Sequence, residues 1–257
     1  MNDGHVNISY QQFTRDDIHT VQSNIAVEAP VTLTVNGQVW LTFQCTPLEL
    51  DSLAVGFLYN EGFIRTLAEI EDIHICDQKD NVDIWLNHPV QKPATWRRTA
   101  GCHGGTSSVD QEPNDFIPIT NIVSLRTEII FSLIDQFMND QISHLESGGV
   151  HTSALADGSK QLFQIQDIGR HNTFDKIAGK ILLNKLEITL PVLITSGRVS
   201  SDMLLKSVRL RAPFLISMRS TSQLGINMAD QLGVTLIGGA RRGRFFLYSH
   251  PEGIQTK

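Results

Sequence analysis

Val192-Leu-Ile-Thr-Ser-Gly-Arg-Val-Ser200 is the stretch on which the fold turns. A short apolar run passes into a serine-glycine-arginine turn, and the residues beyond it read as a helix, so the segment is a strand-to-helix unit. Working outward, further strands are expected at Val150 to Leu155, Leu162 to Asp167, Phe214 to Met218, Val234 to Ile237 and Phe245 to Tyr248. Helices lie between several of them. The clearest is Asn172 to Lys185, where Phe174, Ile177, Ala178, Ile181 and Leu182 share one face. Strands alternating with helices imply a layered α/β domain on a largely parallel or mixed sheet. A helical pattern from Asn121, carrying Ile122, Leu125, Ile129, Leu133, Phe137 and Leu145, precedes this region and stops at Gly148-Gly149.

Upstream the pattern changes. Val31-Thr-Leu-Thr-Val35 and Val39 to Cys45 flank Asn36-Gly37, a strong hairpin signal. Thr46, an N-cap residue type, precedes Pro47, and Leu48, Leu50, Leu53, Ala54, Phe57 and Leu58 recur at helical spacing up to Glu61-Gly62. Ile70 to Ile75 and Val82 to Leu86 add two strands before His88-Pro89 and Pro93 punctuate the chain. The expected fold class is α/β, α+β overall. Residues 1–92 form a smaller N-terminal α+β domain, and residues 93–257 form the layered domain with the Cys102 loop at its start.

Charge and composition narrow the function. A formal net charge of -6 argues against a surface built for nucleic acid, while leaving room for a local basic patch that holds a phosphorylated ligand. The opening Met1-Asn-Asp-Gly-His5 is acidic and polar where a secretory signal is basic and then apolar, and no later run approaches membrane-spanning length. A cytoplasmic protein is the expectation. The cysteines are Cys45, Cys76 and Cys102, an odd number without framework spacing, so at least one thiol is free.

A reactive thiol needs exposure, nearby positive charge and unhindered approach, because the thiolate is the nucleophile. Cys102 follows Arg97 and Arg98, precedes His103, and sits among Gly101, Gly104 and Gly105, whereas Cys45 and Cys76 lie in strand-like apolar runs. From these residues alone Cys102 is either a nucleophile or an incidental loop thiol. Two turns look suited to anions: Asp167-Ile-Gly-Arg-His-Asn172, with Arg170 and His171, and Ser196-Gly-Arg-Val-Ser200, with Ser196 and Arg198. Each places an arginine beside glycine at a helix start, where free N–H groups and the helix dipole add to the guanidinium. The competing reading of each is a capped strand-to-helix turn with Asp or Ser as N-cap and the arginine in an ion pair. Gly239, Ala240, Arg241, Arg242, Gly243 and Arg244 join the last two strands, and three arginines among glycines suit a diphosphate or guanine as well as a solvated basic turn. His151 has no cysteine pair or second close histidine beside it, so no metal site is expected.

In order along the chain, Glu28-Ala-Pro30, Val35-Asn-Gly37, Cys45-Thr-Pro47, Leu53-Ala-Val-Gly-Phe-Leu58, Glu61-Gly62, Gly148-Gly-Val-His151, Asp167 to Asn172, Asp175-Lys176, Ser196-Gly-Arg198 and Val234 to Gly238 together resemble the FdhD family of formate dehydrogenase accessory sulfurtransferases. The resemblance covers nearly the whole chain. It implies a cytidine deaminase-like C-terminal domain and a homodimer. It also implies that sulfur from a cysteine desulfurase travels as a persulfide on Cys102 to the molybdenum bis(guanylyl molybdopterin) cofactor, held at residues 239–244, before that cofactor enters formate dehydrogenase. The family loop is commonly Cys-x-x-Cys, but this chain reads Cys102-His-Gly-Gly105, which rules out a resolving disulfide within the loop. An aromatic common in the family at the position of Gly239 is also missing. A cofactor-binding chaperone that has lost sulfur transfer is the alternative, and a nucleotide-binding regulator a third. Deaminase chemistry is set aside, because the His-x-Glu and Pro-Cys-x-x-Cys that bind and use zinc are absent.

Overall fold

The computed structural model describes residues 4–98, 106–108, 115–120, 123–142 and 149–256. The chain opens with an antiparallel ribbon, β1 (His5–Phe13) paired with β2 (Ile18–Ala26). The next strands are β3 (Ala29–Val35) and β4 (Gln38–Cys45), followed by helix α1 (Leu50–Asn60) and strands β5 (Ile70–Ile75) and β6 (Asn81–Leu86). They form a four-stranded sheet of order β4-β3-β6-β5. Asn36 and Gly37 both have positive φ, 49° and 76°, the primed turn whose twist matches a hairpin. Val31, Leu33 and Val35 alternate into a core with Leu53, Phe57 and Leu58 of α1. The helix begins at Leu50, with Glu49 as N-cap, and not behind Thr46-Pro47 as its residue types suggest. Thr46 is instead drawn into contacts described below.

Strands β7 (Trp96–Arg98) and β8 (Thr106–Ser108) pair antiparallel, and a short β9 (Leu125–Arg126) runs into helix α2 (Thr127–Ile142). That helix therefore starts later than the pattern from Asn121 implies, since Leu125 pairs as strand with Ile254.

The layered region follows: β10 (His151–Asp157), β11 (Lys160–Asp167), α3 (Arg170–Leu183), β12 (Pro191–Thr195), α4 (Ser201–Arg209), β13 (Phe214–Ser217), α5 (Gln223–Leu232), β14 (Thr235–Arg241), β15 (Arg244–Leu247) and the short β16 (Ile254–Gln255). The six-stranded sheet has the order β11-β10-β12-β13-β14-β15. Strands β12, β13 and β14 are parallel, and the outer pairings are antiparallel. Successive side chains of a strand point to opposite faces, so each central strand feeds two cores. Leu193, Leu215 and Leu236 pack with Phe174, Met203 and Met228 of α3, α4 and α5. Val192, Ile194, Phe214 and Ile216 pack with Ile130, Leu133 and Phe137 of α2 on the other face. The chain is thus mixed α/β, with α2 on one face of the sheet and α3, α4 and α5 on the other.

Helix α1 is apolar nearly all round because it lies between its own sheet and α3. The two helices cross at paired glycines: a Cβ on Gly56 would fall 1.7 Å from the Asp175 carbonyl oxygen, and one on Gly179 would fall 1.9 Å from that of Ser52. No other residue fits either position. Trp96 also packs on Trp40, Phe57 and Phe63, sealing the same core from the far side.

Candidate functional site

Because β12, β13 and β14 are parallel and β10 antiparallel to them, the ends of three strands and the beginning of a fourth meet at one edge of the sheet. That edge, outside the carboxyl ends of parallel strands, is where open α/β sheets bind ligands. Ser196 N–H donates to the Thr152 carbonyl at 2.8 Å while Thr152 N–H donates to Ser196 Oγ at 2.9 Å, which ties the end of β12 to the beginning of β10. Ser217 Oγ donates to the Gly197 carbonyl at 2.7 Å and accepts from Arg219 N–H at 3.0 Å. Gly239 N–H in turn donates to the Arg219 carbonyl at 2.8 Å. The arginine-bearing turns after β12, β13 and β14 are thereby stitched together through backbone.

The two anion turns converge. A Cβ on Gly197 would lie 3.2 Å from Cδ of Arg170 and 3.5 Å from Nδ1 of His151, so the stem of Arg170 rests on the turn that carries Arg198. Arg170, Arg198, Val199, Ser200, Ser220, Thr221 and Ser222 line one cavity of about 340 Å³. Arg170 is buried and Arg198 exposed, and among the described residues Arg198 makes no ion pair. Gly169 is the N-cap of α3 and Ser200 that of α4, neither with a side-chain cap hydrogen bond. Ser200 is only 8% exposed, and its hydroxyl finds no hydrogen-bond partner among the described residues. Such a group costs free energy when left dry, and a ligand oxygen in the cavity would answer it.

Asp167 is not the cap of α3. Its carboxylate accepts from Gly169 N–H, Asn172 Nδ2, Thr46 N–H and Lys176 Nζ, at 2.8, 2.8, 3.1 and 2.6 Å. Lys176 also donates to the Thr46 carbonyl, and Asn172 to that of Gln44, so the end of β4 is bound to the first turns of α3. Asp167 and Lys176 are fully buried. A second buried pair stands nearby, Lys206 of α4 with both oxygens of Asp175, which also accepts from Asn60 of α1. These residues position the site without lining it.

Burial, then the charges of Lys206 and Arg170, hold His171 well below the usual imidazole range. Burial and then Arg170 lower His151, against the opposing pull of Asp167. Both rings are neutral at neutral pH and present one donor and one acceptor nitrogen each, adding no charge to that of the arginines.

The turn at residues 239–244 is a tight hairpin. Arg241 pairs with Arg244 across Arg242-Gly243, and Gly243 takes φ 77°. Arg241 Nη1 is pinned to the carbonyls of Met218 and Ala240, Arg242 reaches Asn139 on α2, and Ala240 is fully buried on the α2 face. Gly243, Arg242 and Arg244 are exposed. What this turn presents at the sheet edge is the partly buried Arg241.

Cys102 and His103 lie outside the described residues, in the sequence between β7 and β8. The other two thiols are accounted for. Cys45 is fully buried, and burial, with Asp167 adding to it against Lys176, pushes its pKa up to about 12, so it is no nucleophile near neutral pH. Cys76 donates to Asp80 at 2.8 Å and accepts from Asn81 N–H at 3.2 Å, closing a turn. No group of three or more His, Cys, Asp or Glu among the described residues is placed to hold a metal.

Arg219-Ser-Thr-Ser222, which supplies three residues of the cavity wall, is absent from the candidate turns read in the sequence. A signal for it exists: Ser222 caps Gly225 N–H at 3.1 Å and Gly233 closes the helix at φ 75°, a start and a stop about ten residues apart in the same strand-arginine-serine-helix pattern as Ser196 to Ser200.

Residues 26–255 match the FdhD/NarQ family. The chain is 33% identical to a protein of Bacillus subtilis (strain 168) named sulfur carrier protein FdhD, over 95% of each chain. It is 32% identical to the protein of that name from Listeria monocytogenes serotype 4b (strain F2365), over 96% of this chain and 98% of the other. Its fold matches, with a TM-score of 0.80 and 25% identity over 98% of this chain and 99% of the other, a crystal structure from Desulfotalea psychrophila described as that of a formate dehydrogenase accessory protein. This chain belongs to the FdhD/NarQ family.

Proposed function

We propose that the protein is a sulfur carrier that takes sulfur from a cysteine desulfurase onto Cys102 and delivers it to the molybdenum bis(guanylyl molybdopterin) cofactor bound for formate dehydrogenase. The observation that carries this reading is the meeting of Arg170, Arg198 and the uncapped starts of α3 and α4 at one cavity, in a chain whose relatives are named sulfur carriers. The cofactor is the substrate, and its nucleotide diphosphates suit this cationic sheet edge.

In the loading step the Cys102 thiolate attacks the terminal sulfur of the desulfurase persulfide. A new S–S bond forms on Cys102, the old one breaks, and the desulfurase thiolate leaves. The neighbouring Arg97, Arg98 and His103 favour the thiolate. In delivery an electron pair from the reduced cofactor attacks the outer sulfur, the S–S bond breaks and the Cys102 thiolate leaves, the cofactor being oxidised by the two electrons that the sulfur gains. Since Cys45 is buried with a raised pKa and Cys76 is engaged in a turn, Cys102 is the thiol free for this role.

The reading extends to a cytoplasmic homodimer with a cytidine deaminase-like layered domain. The sheet order β11-β10-β12-β13-β14-β15, with α2 on one face and α3 to α5 on the other, supports that layering. None of the described helices is long and apolar enough to cross a membrane.

The alternative, a cofactor-binding chaperone without sulfur transfer, is favoured by Gly105 where a second cysteine is common. Complementation of cells that lack the endogenous accessory protein separates the two. Cys102→Ala is expected to abolish formate dehydrogenase activity, as is Arg241→Ala. Full activity with Cys102→Ala and none with Arg241→Ala would establish the chaperone instead.

A further inference from the structure

We infer that Phe246 of β15 is the surface on which the purine base of the bound nucleotide stacks. The inference rests on the cofactor-binding reading above and adds a residue outside the 239–244 turn.

In the β14–β15 hairpin Gly238 is paired with Phe246. A Cβ on Gly239 would fall 2.7 Å from Cδ2 of Phe246, and one on Gly238 would fall 2.7 Å from Cε2 of Tyr248. The two glycines leave bare backbone on which these rings lie. Gly239 also takes φ 60°, so a side chain there would be strained as well as obstructed. Gly239 is thus covered by an aromatic ring from the neighbouring strand.

One function of such a ring is structural, to cover an edge glycine. Three further features point to a ligand. Phe246 keeps 53% of its surface exposed, so it is supported beneath and open above. Phe245 and Leu247 pack into the α2 core, so by strand alternation Phe246 projects to the opposite face, the one that carries α3, α4 and α5. Gly239, under the ring, donates its N–H to Arg219, and Arg219 is followed by Ser220 of the cavity wall. A diphosphate at Arg170, Arg198 and Ser200 and a base on Phe246 are therefore served by adjoining parts of the same sheet edge. Stacking on an aromatic face is tolerant of base identity, so Phe246 supplies affinity for a planar base, and discrimination between bases falls to other groups.

The test is calorimetric titration of the full chain with GDP, ADP and inorganic pyrophosphate. Phe246→Ala is expected to weaken GDP and ADP alike by about tenfold or more, and to leave pyrophosphate unchanged. Phe246→Trp is expected to keep GDP affinity and to show tryptophan quenching on binding. Equal loss of GDP and pyrophosphate, or no loss of GDP, in a Phe246→Ala protein that melts cooperatively would overturn the inference while leaving the cofactor reading intact. So would unquenched GDP binding to Phe246→Trp. A wild-type protein that binds neither GDP nor pyrophosphate would overturn both.

Discussion

Ser200 and Ser222 occupy the same place in two successive units: each follows a parallel strand and an arginine, and each is the N-cap of a helix on the same face of the sheet. Ser222 does what the position ordinarily demands, accepting from Gly225 N–H. Ser200 does not, and its buried hydroxyl is left without a partner among the described residues, at the wall of the cavity beside Arg170 and Arg198. A third turn of the same kind, at Asp167, shows the opposite extreme, with four donors converging on one carboxylate. The difference teaches where stability and binding have been separated. Polar groups that are answered within the chain hold the fold, and those left open at the sheet edge are the ones the proposed ligand would answer.

The strongest way to break this comparison is at the satisfied turn. Asp167→Ala strands the Lys176 ammonium in a fully buried site, and a loss of about 3–5 kcal/mol is expected from chemical denaturation. A loss under about 1 kcal/mol, the scale of an exposed pair, would mean that the pair does not hold β4 to α3. At the open turns the effect moves from stability to affinity. Arg198→Ala is expected to weaken pyrophosphate binding roughly tenfold to a hundredfold, the worth of a charged hydrogen bond, with the melting temperature unchanged. The two serines sharpen the contrast. Ser222→Ala is expected to cost about 1 kcal/mol of stability through the lost cap and to weaken pyrophosphate binding less than Ser200→Ala does, because its hydroxyl is spent on Gly225 N–H. Ser200→Ala is expected to be near neutral in stability, because it removes an unanswered group, and to weaken pyrophosphate binding. If Ser222→Ala were the variant that lost the anion, the assignment of the two roles would be reversed.

The smallest expected effect is on pH dependence. His171 has a depressed folded-state pKa, so below the unfolded value of roughly 6.5 the unfolded chain binds a proton that the folded chain does not. Its contribution to stability is complete above that pH and is lost as the pH falls below it. Melting temperatures measured from pH 7 downward should decline, and His171→Gln should flatten that part of the decline.

Much of this arrangement is legible in the residues. The apolar runs at β12, β13 and β14 and the Asn36-Gly37 turn identify themselves, because local periodicity and turn chemistry decide them. The ribbon of β1 and β2 does not, although Val6-Asn-Ile-Ser-Tyr10 alternates as a strand should; most of its side chains are exposed, so no core-facing run marks it. The start of α1 is displaced because Thr46 spends its hydroxyl and backbone groups on Ile168, Asp167 and Lys176, over 120 residues away, instead of on a helix. The convergence of Arg170 and Arg198 is not readable either. It follows from β10 lying between β11 and β12, a matter of sheet order that no local pattern contains. Nor can the sequence distinguish Ser200 from Ser222, since both are N-caps and both line the cavity, and the fold decides which hydroxyl meets a backbone N–H and which is left open.

The central claim is that this sheet edge serves a protein that carries sulfur on one thiol, and mass spectrometry of Cys102 after incubation with a cysteine desulfurase and cysteine tests it most directly. The account predicts one added, reductant-labile sulfur atom on the Cys102 peptide and none on those of Cys45 or Cys76, with loading lost in Cys102→Ala. Undiminished sulfur loading of Cys102→Ala, or an unmodified Cys102 in a folded protein after incubation with active desulfurase, would contradict it.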